Sequence, residues 1–257
     1  TGIIPLSSSF DAPGVLTRNP ALLKEVFLSM IGVGPADDQS FELRSKESKP
    51  SRKRIILCVN RSLGEMELLQ TKLRSFLAQL KLNGFEIIFI DLPEVSFDYT
   101  TISSTDIRAD ITKFLHRYGS DNEPRSFEGL VECYRERPHA HLYGMERLED
   151  ALAMPQIEKS ELKKLVQENV AKARNLIDDI LAHYDADFVG FLNFVDWFSI
   201  GGGPSCTLPV SFETKPPISI MLGARVGNDL AILHLVKELS EIAKAAQHVE
   251  KLGNKAE

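Results

Sequence analysis

Apolar residues along this chain fall into two alternating rhythms: short continuous runs, and longer stretches with a three-to-four-residue repeat. Arg54-Ile-Ile-Leu-Cys-Val59 and Phe85-Glu-Ile-Ile-Phe-Ile90 have the length and β-branched content of buried strands. Between them Met66, Leu69, Leu73, Phe76, Leu77 and Leu80 recur at helical spacing. Ser62 and Glu65 stand as a capping box at the start of this stretch, and Asn83-Gly84 ends it. Residues 54–92 therefore predict a strand, helix, strand unit with its two strands parallel in one sheet. Upstream, Asn19-Pro20 supplies an N-cap and a first-turn proline to a helix carrying Leu22, Leu23, Val26, Phe27 and Met30 and stopping near Gly32.

The same reading continues downstream. Residues 104–118 and 145–153 read as helices. From Ser160 to Tyr184 the residues Leu162, Leu165, Val166, Val170, Ile177, Ile180 and Leu181 fall on one helical face. Asp187-Phe-Val-Gly-Phe-Leu192 reads as a central strand, Thr207 to Phe212 and Ile218 to Ala224 as two more. A last helix runs from Asp229 with Ile232, Val236, Leu239 and Ala243 inward. The fold class is α/β with an appended strand pair, and residues 33–53, polar and aperiodic, read as an inserted-like connecting loop.

Composition narrows the classes of function. With 43% hydrophobic and 26% charged residues over 257 positions, the chain is an ordinary globular one, long enough for a sizeable core. A net charge of −6 argues against a nucleic-acid partner, and the basic run from Lys46 to Arg54 reads as a solvated linker. No uninterrupted apolar window of about 18 residues exists, so no transmembrane helix is expected. Cys58, Cys133 and Cys206 cannot all pair and lack metal-like spacing, which fits a reducing, cytoplasmic compartment. The chain opens on Thr1 without a charged n-region or apolar h-region, which reads as a cut end.

Candidate chemistry is sparse. The first strand turns through Asn60-Arg-Ser-Leu-Gly64, without the glycine spacing of a dinucleotide fold, so no nucleotide cofactor is expected. His139 and His141 form a His-x-His pair with no third ligand placed by spacing, and no metal is expected. Gly201-Gly202-Gly203 either presents backbone N–H groups to an anion or makes a tight turn. Trp197 either walls a ligand crevice at the carboxyl end of a strand or packs in the core. Ser7, Ser8 and Ser9 lie near Asp11 with no histidine close in sequence.

The order of segments is more informative. Gly2-Ile-Ile-Pro-Leu-Ser-Ser-Ser-Phe-Asp11-Ala-Pro-Gly14-Val-Leu-Thr-Arg18 resembles the stretch that follows the signature region of amidase-signature hydrolases. Gly202-Gly203-Pro204-Ser-Cys-Thr-Leu-Pro209 resembles that family's Gly-x-Pro-x-x-x-x-Pro segment, and Pro217-Ile-Ser-Ile-Met-Leu-Gly223 its Pro-x-Gly-x-x-x-x-Gly strand. Leu92-Pro93, Arg125-Ser-Phe-Glu-Gly-Leu-Val, Tyr143-Gly144 and Asp187 to Asn193 also have counterparts, closest to the peptide-amidase-like bacterial and fungal branch.

The resemblance implies a mixed central sheet flanked by helices, and a C–N hydrolase acting on a small amide or peptide amide without a cofactor. It also implies that residues 1–257 are the carboxy-terminal portion of a single amidase domain, missing its early strands. The Ser-Ser-Lys triad would lie upstream of Thr1, leaving no catalytic residue in this chain. The chain alone is then expected to be inactive, with the absent amino-terminal portion as a partner. Phe10, Asp11, Phe191, Asn193, Trp197, Gly202 and Gly203 are the substrate-pocket candidates. Leu22, Leu192 and Ser219 depart from the family pattern, which leaves a non-catalytic remnant or binding subunit as the alternative.

Overall fold

The computed structural model describes residues 3–30, 52–121, 123–137, 139, 144–212, 214 and 216–253. The connecting loop proposed for 33–53 lies, up to residue 51, outside them. The chain divides into two compact units, Thr1–Pro13 with Ser96–Ala171, and Gly14–Val95 with Lys172–Glu257.

The second unit holds the sheet. Its strands are β1 (Arg54–Val59), β2 (Glu86–Asp91), β3 (Phe188–Phe191), β4 (Ser205–Ser211) and β5 (Ile218–Gly223), in the order β2-β1-β3-β5-β4. β1 runs parallel to both β2 and β3, whereas β5 runs antiparallel to β3 and β4. The strand, helix, strand unit and the appended strand pair are both present as expected. The expectation of a sheet missing its early strands is corrected: β1, β3 and β5 are each paired on both sides, so the five strands form one continuous sheet.

One face of that sheet carries Ile55, Leu57 and Val59 of β1, Leu208 and Val210 of β4, and Ile220 and Leu222 of β5. They pack with Phe76 and Leu80 of a crossover helix and with Val236, Leu239 and Ala243 of the last helix. Gly190 is the small residue that this face requires in β3, since a Cβ there would lie 2.6 Å from a Leu57 methyl.

Helices depart from the expected pattern in instructive ways. α1 (Pro20–Met30) is capped as predicted, the Asn19 side chain accepting from the Ala21 N–H at 3.0 Å. Leu23 is buried, but Leu22, Val26 and Met30 remain exposed. The crossover begins with a 3-10 turn (Arg61–Leu63), then splits into α2 (Glu65–Thr71) and α3 (Arg74–Leu82). Its cap is Asn60, whose side chain accepts from the Ser62 N–H, in place of Ser62 itself. Gly64, at φ 70°, turns the chain between the 3-10 turn and α2.

In the first unit, α4 (Tyr99–Tyr118), α5 (Phe127–Arg135) and α6 (Glu146–Ala153) enclose Ile107, Ile111, Phe127, Val131, Met145 and Ala151. α5 was not expected from periodicity; Ser126 caps it by accepting from the Gly129 N–H at 3.1 Å. α7 (Lys159–His183) crosses from one unit's residues into the other's at Ala171. α8 (Trp197–Gly201), a short helix where a loop was expected, and α9 (Asp229–Gly253) complete the chain.

Candidate functional site

The connection from β1 leads to β2 on one side, while β3 lies on the other side of β1 and leads on toward β5 and β4. The carboxyl ends of the parallel pair β1 and β3 therefore flank a topological switch point, where an open α/β sheet offers a ligand crevice. Asn60 follows β1 directly, Asn193 follows β3 by two residues, and Glu65 opens α2 beside them.

Glu65 is the unusual member. It is only 5% exposed, and no cation pairs with it among the described residues. Its two oxygens are held instead by neutral donors: Oε2 accepts from the Asn60 backbone N–H at 2.6 Å, and Oε1 accepts from the Asn193 side-chain Nδ2. Burying a carboxylate in this way costs several kcal/mol unless donors replace its water. Cys58, near the end of β1, feels the same environment: burial pushes its thiol up to about 12, and the Glu65 charge adds to the rise. Asp196 is partly buried, and that burial raises its carboxyl above its ordinary value, against an opposing bond from its own backbone N–H.

Phe191 is buried at the end of β3 and meets Trp197 edge to face, with ring centroids 5.1 Å apart, and Phe198 at 6.0 Å. Trp197 is 3% exposed, so its ring is packing rather than an open wall. Phe198 lies over Gly223, where a Cβ would fall 1.9 Å from the ring. Asn193 is exposed beside this aromatic group.

Phe10 and Asp11 belong to the other unit. Phe10 is buried and stacks on Tyr99 at 5.7 Å. Asp11 is exposed and closes its own loop by accepting from the backbone N–H groups of Leu6 at 2.7 Å and Ser7 at 3.0 Å. Ser7 is buried and donates its hydroxyl to Asp106 at 2.6 Å; Ser8 and Ser9 give backbone N–H groups to Asp110 and Asp106.

The glycine run is largely occupied. Gly202 and Gly203 both donate their N–H groups to the Phe198 carbonyl, and Gly201 accepts from Arg174 Nε at 2.7 Å. A cavity of about 180 Å³ lies beside it, bounded by Arg174, Asp178, Gly201, Gly203 and Arg225, with Arg225 paired to Asp178 at 3.2 Å. His139 is exposed, and His141 lies outside the described residues. No group of three potential metal ligands occurs among the described residues.

Sequence reasoning missed Glu65 as a site residue because its spacing from Ser62 suggested only a helix cap. The retrievable signal was polar Asn60 and Asn193 placed just after two buried strands of one parallel unit.

No protein-family model and no curated protein matches the chain. Solved structures do. An amidase family protein from Bacillus anthracis str. Ames superposes with a TM-score of 0.79 at 16% identity, covering 95% of this chain and 51% of its own. The native peptide amidase from Stenotrophomonas maltophilia gives 0.75 at 17% identity, with 95% and 55% covered. A fatty acid amide hydrolase gives 0.56 at 13%, with 92% and 49% covered. The fold is thus that of the amidases, and this chain spans about half the length of these proteins. The coverage corrects two expectations. The likeness extends over 95% of this chain and is not confined to a carboxy-terminal portion, and the inactivity inferred for a truncated fragment is not carried forward. No helix among the described residues is long and apolar enough to cross a membrane.

Proposed function

We propose that this protein hydrolyses the C–N bond of a carboxamide, releasing a carboxylic acid and ammonia or an amine, with a small amide or a peptide amide as substrate. The observation that carries this reading is the fold likeness to an amidase family protein and a peptide amidase over 95% of the chain, at TM-scores of 0.79 and 0.75. The switch point at the ends of β1 and β3 agrees with it, presenting an exposed side-chain amide beside aromatic packing.

In this reading a serine oxygen attacks the carbonyl carbon, the C–N bond breaks as the nitrogen leaves with a proton, and water then splits the acyl-serine to the acid. The attacking serine is assisted by a second serine and by a lysine held neutral through burial. Ser7 is unsuited to attack, since it is 1% exposed and its hydroxyl proton is held by Asp106.

The test is ammonia release from a panel of primary carboxamides by the product of the complete reading frame. Turnover of at least one amide, abolished by replacing the attacking serine, is expected. A folded protein that releases ammonia from none of them overturns the reading and leaves a binding protein of amidase fold.

A further inference from the structure

We propose that Glu65 is a positioning residue that locks the Asn193 amide in one orientation, so that Asn193 Oδ1 forms a hydrogen-bond acceptor subsite for the N–H group of a carboxamide ligand. The proposal rests on the amide-directed reading above, and it specifies which part of the ligand this position holds.

Three observations combine. First, an ionised carboxylate can only accept hydrogen bonds. Glu65 faces the Asn193 side chain through Nδ2, so the asparagine must turn its NH2 inward and its oxygen away. A neutral residue at position 65 would impose no such choice. Second, Asn193 Oδ1 has no hydrogen-bond partner among the described residues, and the residue is exposed; what the locked amide presents outward is therefore a bare acceptor. Third, the pair sits at the switch point between β1 and β3, where the sheet topology opens toward a ligand.

Burial of Glu65 makes the arrangement costly for the fold alone. A helix-cap role would need only the bond to the Asn60 N–H, and water could take the other oxygen. Instead the second oxygen is spent on the loop residue that leads out of β3. Asn60, at the end of β1, ties the same carboxylate to the neighbouring strand, so the acceptor is held against two rigid elements rather than on a free loop. A rigid acceptor of this kind discriminates between ligands that do and do not carry an N–H, because an unmatched acceptor is left desolvated.

The test uses benzamide and N,N-dimethylbenzamide, which differ in the N–H donors, with binding followed by ligand-observed NMR. In wild type, benzamide is expected to bind about tenfold more tightly than its dimethyl analogue, the discrimination of one matched hydrogen bond. Asn193→Leu, which removes the acceptor together with one donor to Glu65, should abolish the preference in a protein shown to be folded by circular dichroism. Glu65→Gln should abolish or strongly reduce it while Asn193 is still present. The Asn193 side-chain NH2 signal, assigned by its loss in Asn193→Leu, should show one strongly downfield proton in wild type that moves toward the free-amide position in Glu65→Gln. Equal binding of the two amides by wild type, no binding of either, or a preference retained in Glu65→Gln would each overturn the proposal. Ammonia release is scored separately: its absence with the preference intact removes the hydrolytic reading and leaves the subsite standing.

Discussion

Two regions of this molecule bury carboxylates, and they close them off differently. Asp106 and Asp110 of α4 are 4% and 7% exposed, and their donors are the Ser7 hydroxyl, two backbone N–H groups of the Ser7–Ser9 loop, and Lys113. Except for the exposed Lys113 ammonium, those donors belong to a loop pinned onto its own helix. Glu65 is equally buried, yet one of its two donors is an exposed side chain whose oxygen has no partner among the described residues. The first arrangement ends within the fold, while the second extends to the surface. Buried charge therefore does not mark a site by itself; what distinguishes Glu65 is where its hydrogen-bond chain ends.

The largest effect should come from breaking the closed arrangement. Asp106→Ala removes the acceptor of both Ser7 and Ser9 and leaves the Ser7 hydroxyl buried without a partner, since Ser7 is 1% exposed. Losing two bonds to a charged acceptor and stranding one donor should cost about 3–5 kcal/mol, read as a lowered midpoint in urea unfolding followed by circular dichroism. Asp106→Asn should cost less, because one acceptor oxygen survives. A loss under about 1 kcal/mol for Asp106→Ala would show that the Ser7–Ser9 loop is not anchored there.

Next in size is Glu65→Gln, which weakens a charge-assisted bond to the Asn60 N–H and releases Asn193; about 1–2 kcal/mol is expected. Asn193→Ala removes the donor to buried Glu65 Oε1 but admits water in place of the truncated side chain, and its cost should be about 1 kcal/mol. The contrast between the two regions would collapse if Asn193→Ala destabilised the protein as much as Asp106→Ala, since Asn193 would then be structural.

These two regions also differ in how far the sequence exposes them. The parallel strand unit was readable because Ile55 to Val59 and Ile87 to Ile90 are continuous apolar runs, and the crossover between them repeats at helical spacing. The final helix and the strand pair were readable for the same reason. α5 was not, because it is a short amphipathic helix of nine residues set between loops and depends on Ser126 and on packing of Phe127 and Val131. Of the site candidates, Phe191, Trp197 and Asn193 come together, since all three follow or end β3. Trp197 is core, which its residue type could not decide. Glu65 reaches Asn193 across 128 positions, and no local spacing encodes such a contact. The resemblance anticipated the fold, whereas Glu65 stands out through its burial together with a hydrogen-bond chain that ends at the surface.

A smaller effect separates the thiols. With a pKa of about 12 for Cys58, roughly one thiol in ten thousand is ionised at pH 8, against a sizeable fraction for an ordinary cysteine. Iodoacetamide at pH 8, followed by mass spectrometry of the native protein, should modify Cys133 first and leave Cys58 intact. Glu65→Gln should move Cys58 only slightly toward reactivity, because burial is the larger cause of its shift. Native labelling of Cys58 as fast as Cys133 would mean that the end of β1 opens to solvent and that Glu65 is not buried in solution.

The smallest expected effect is that of Asp196, a fourth carboxylate, which burial disfavours with no donor from another residue among the described ones to offset it. Its folded pKa lies above its unfolded one, so between those two values the folded state holds the proton more tightly. Stability contributed by this group therefore rises as pH falls through that window, and its penalty is fully present above the folded pKa. Asp196→Asn removes the titration. The variant should be slightly more stable than wild type at pH 7, and the difference should shrink toward zero once the pH falls below about 4, the ordinary carboxylate range. Thermal midpoints of the two proteins measured across this range provide the check. A difference that grows as pH falls would mean that Asp196 is held as a charged, hydrogen-bonded carboxylate, anchoring the loop beyond β3.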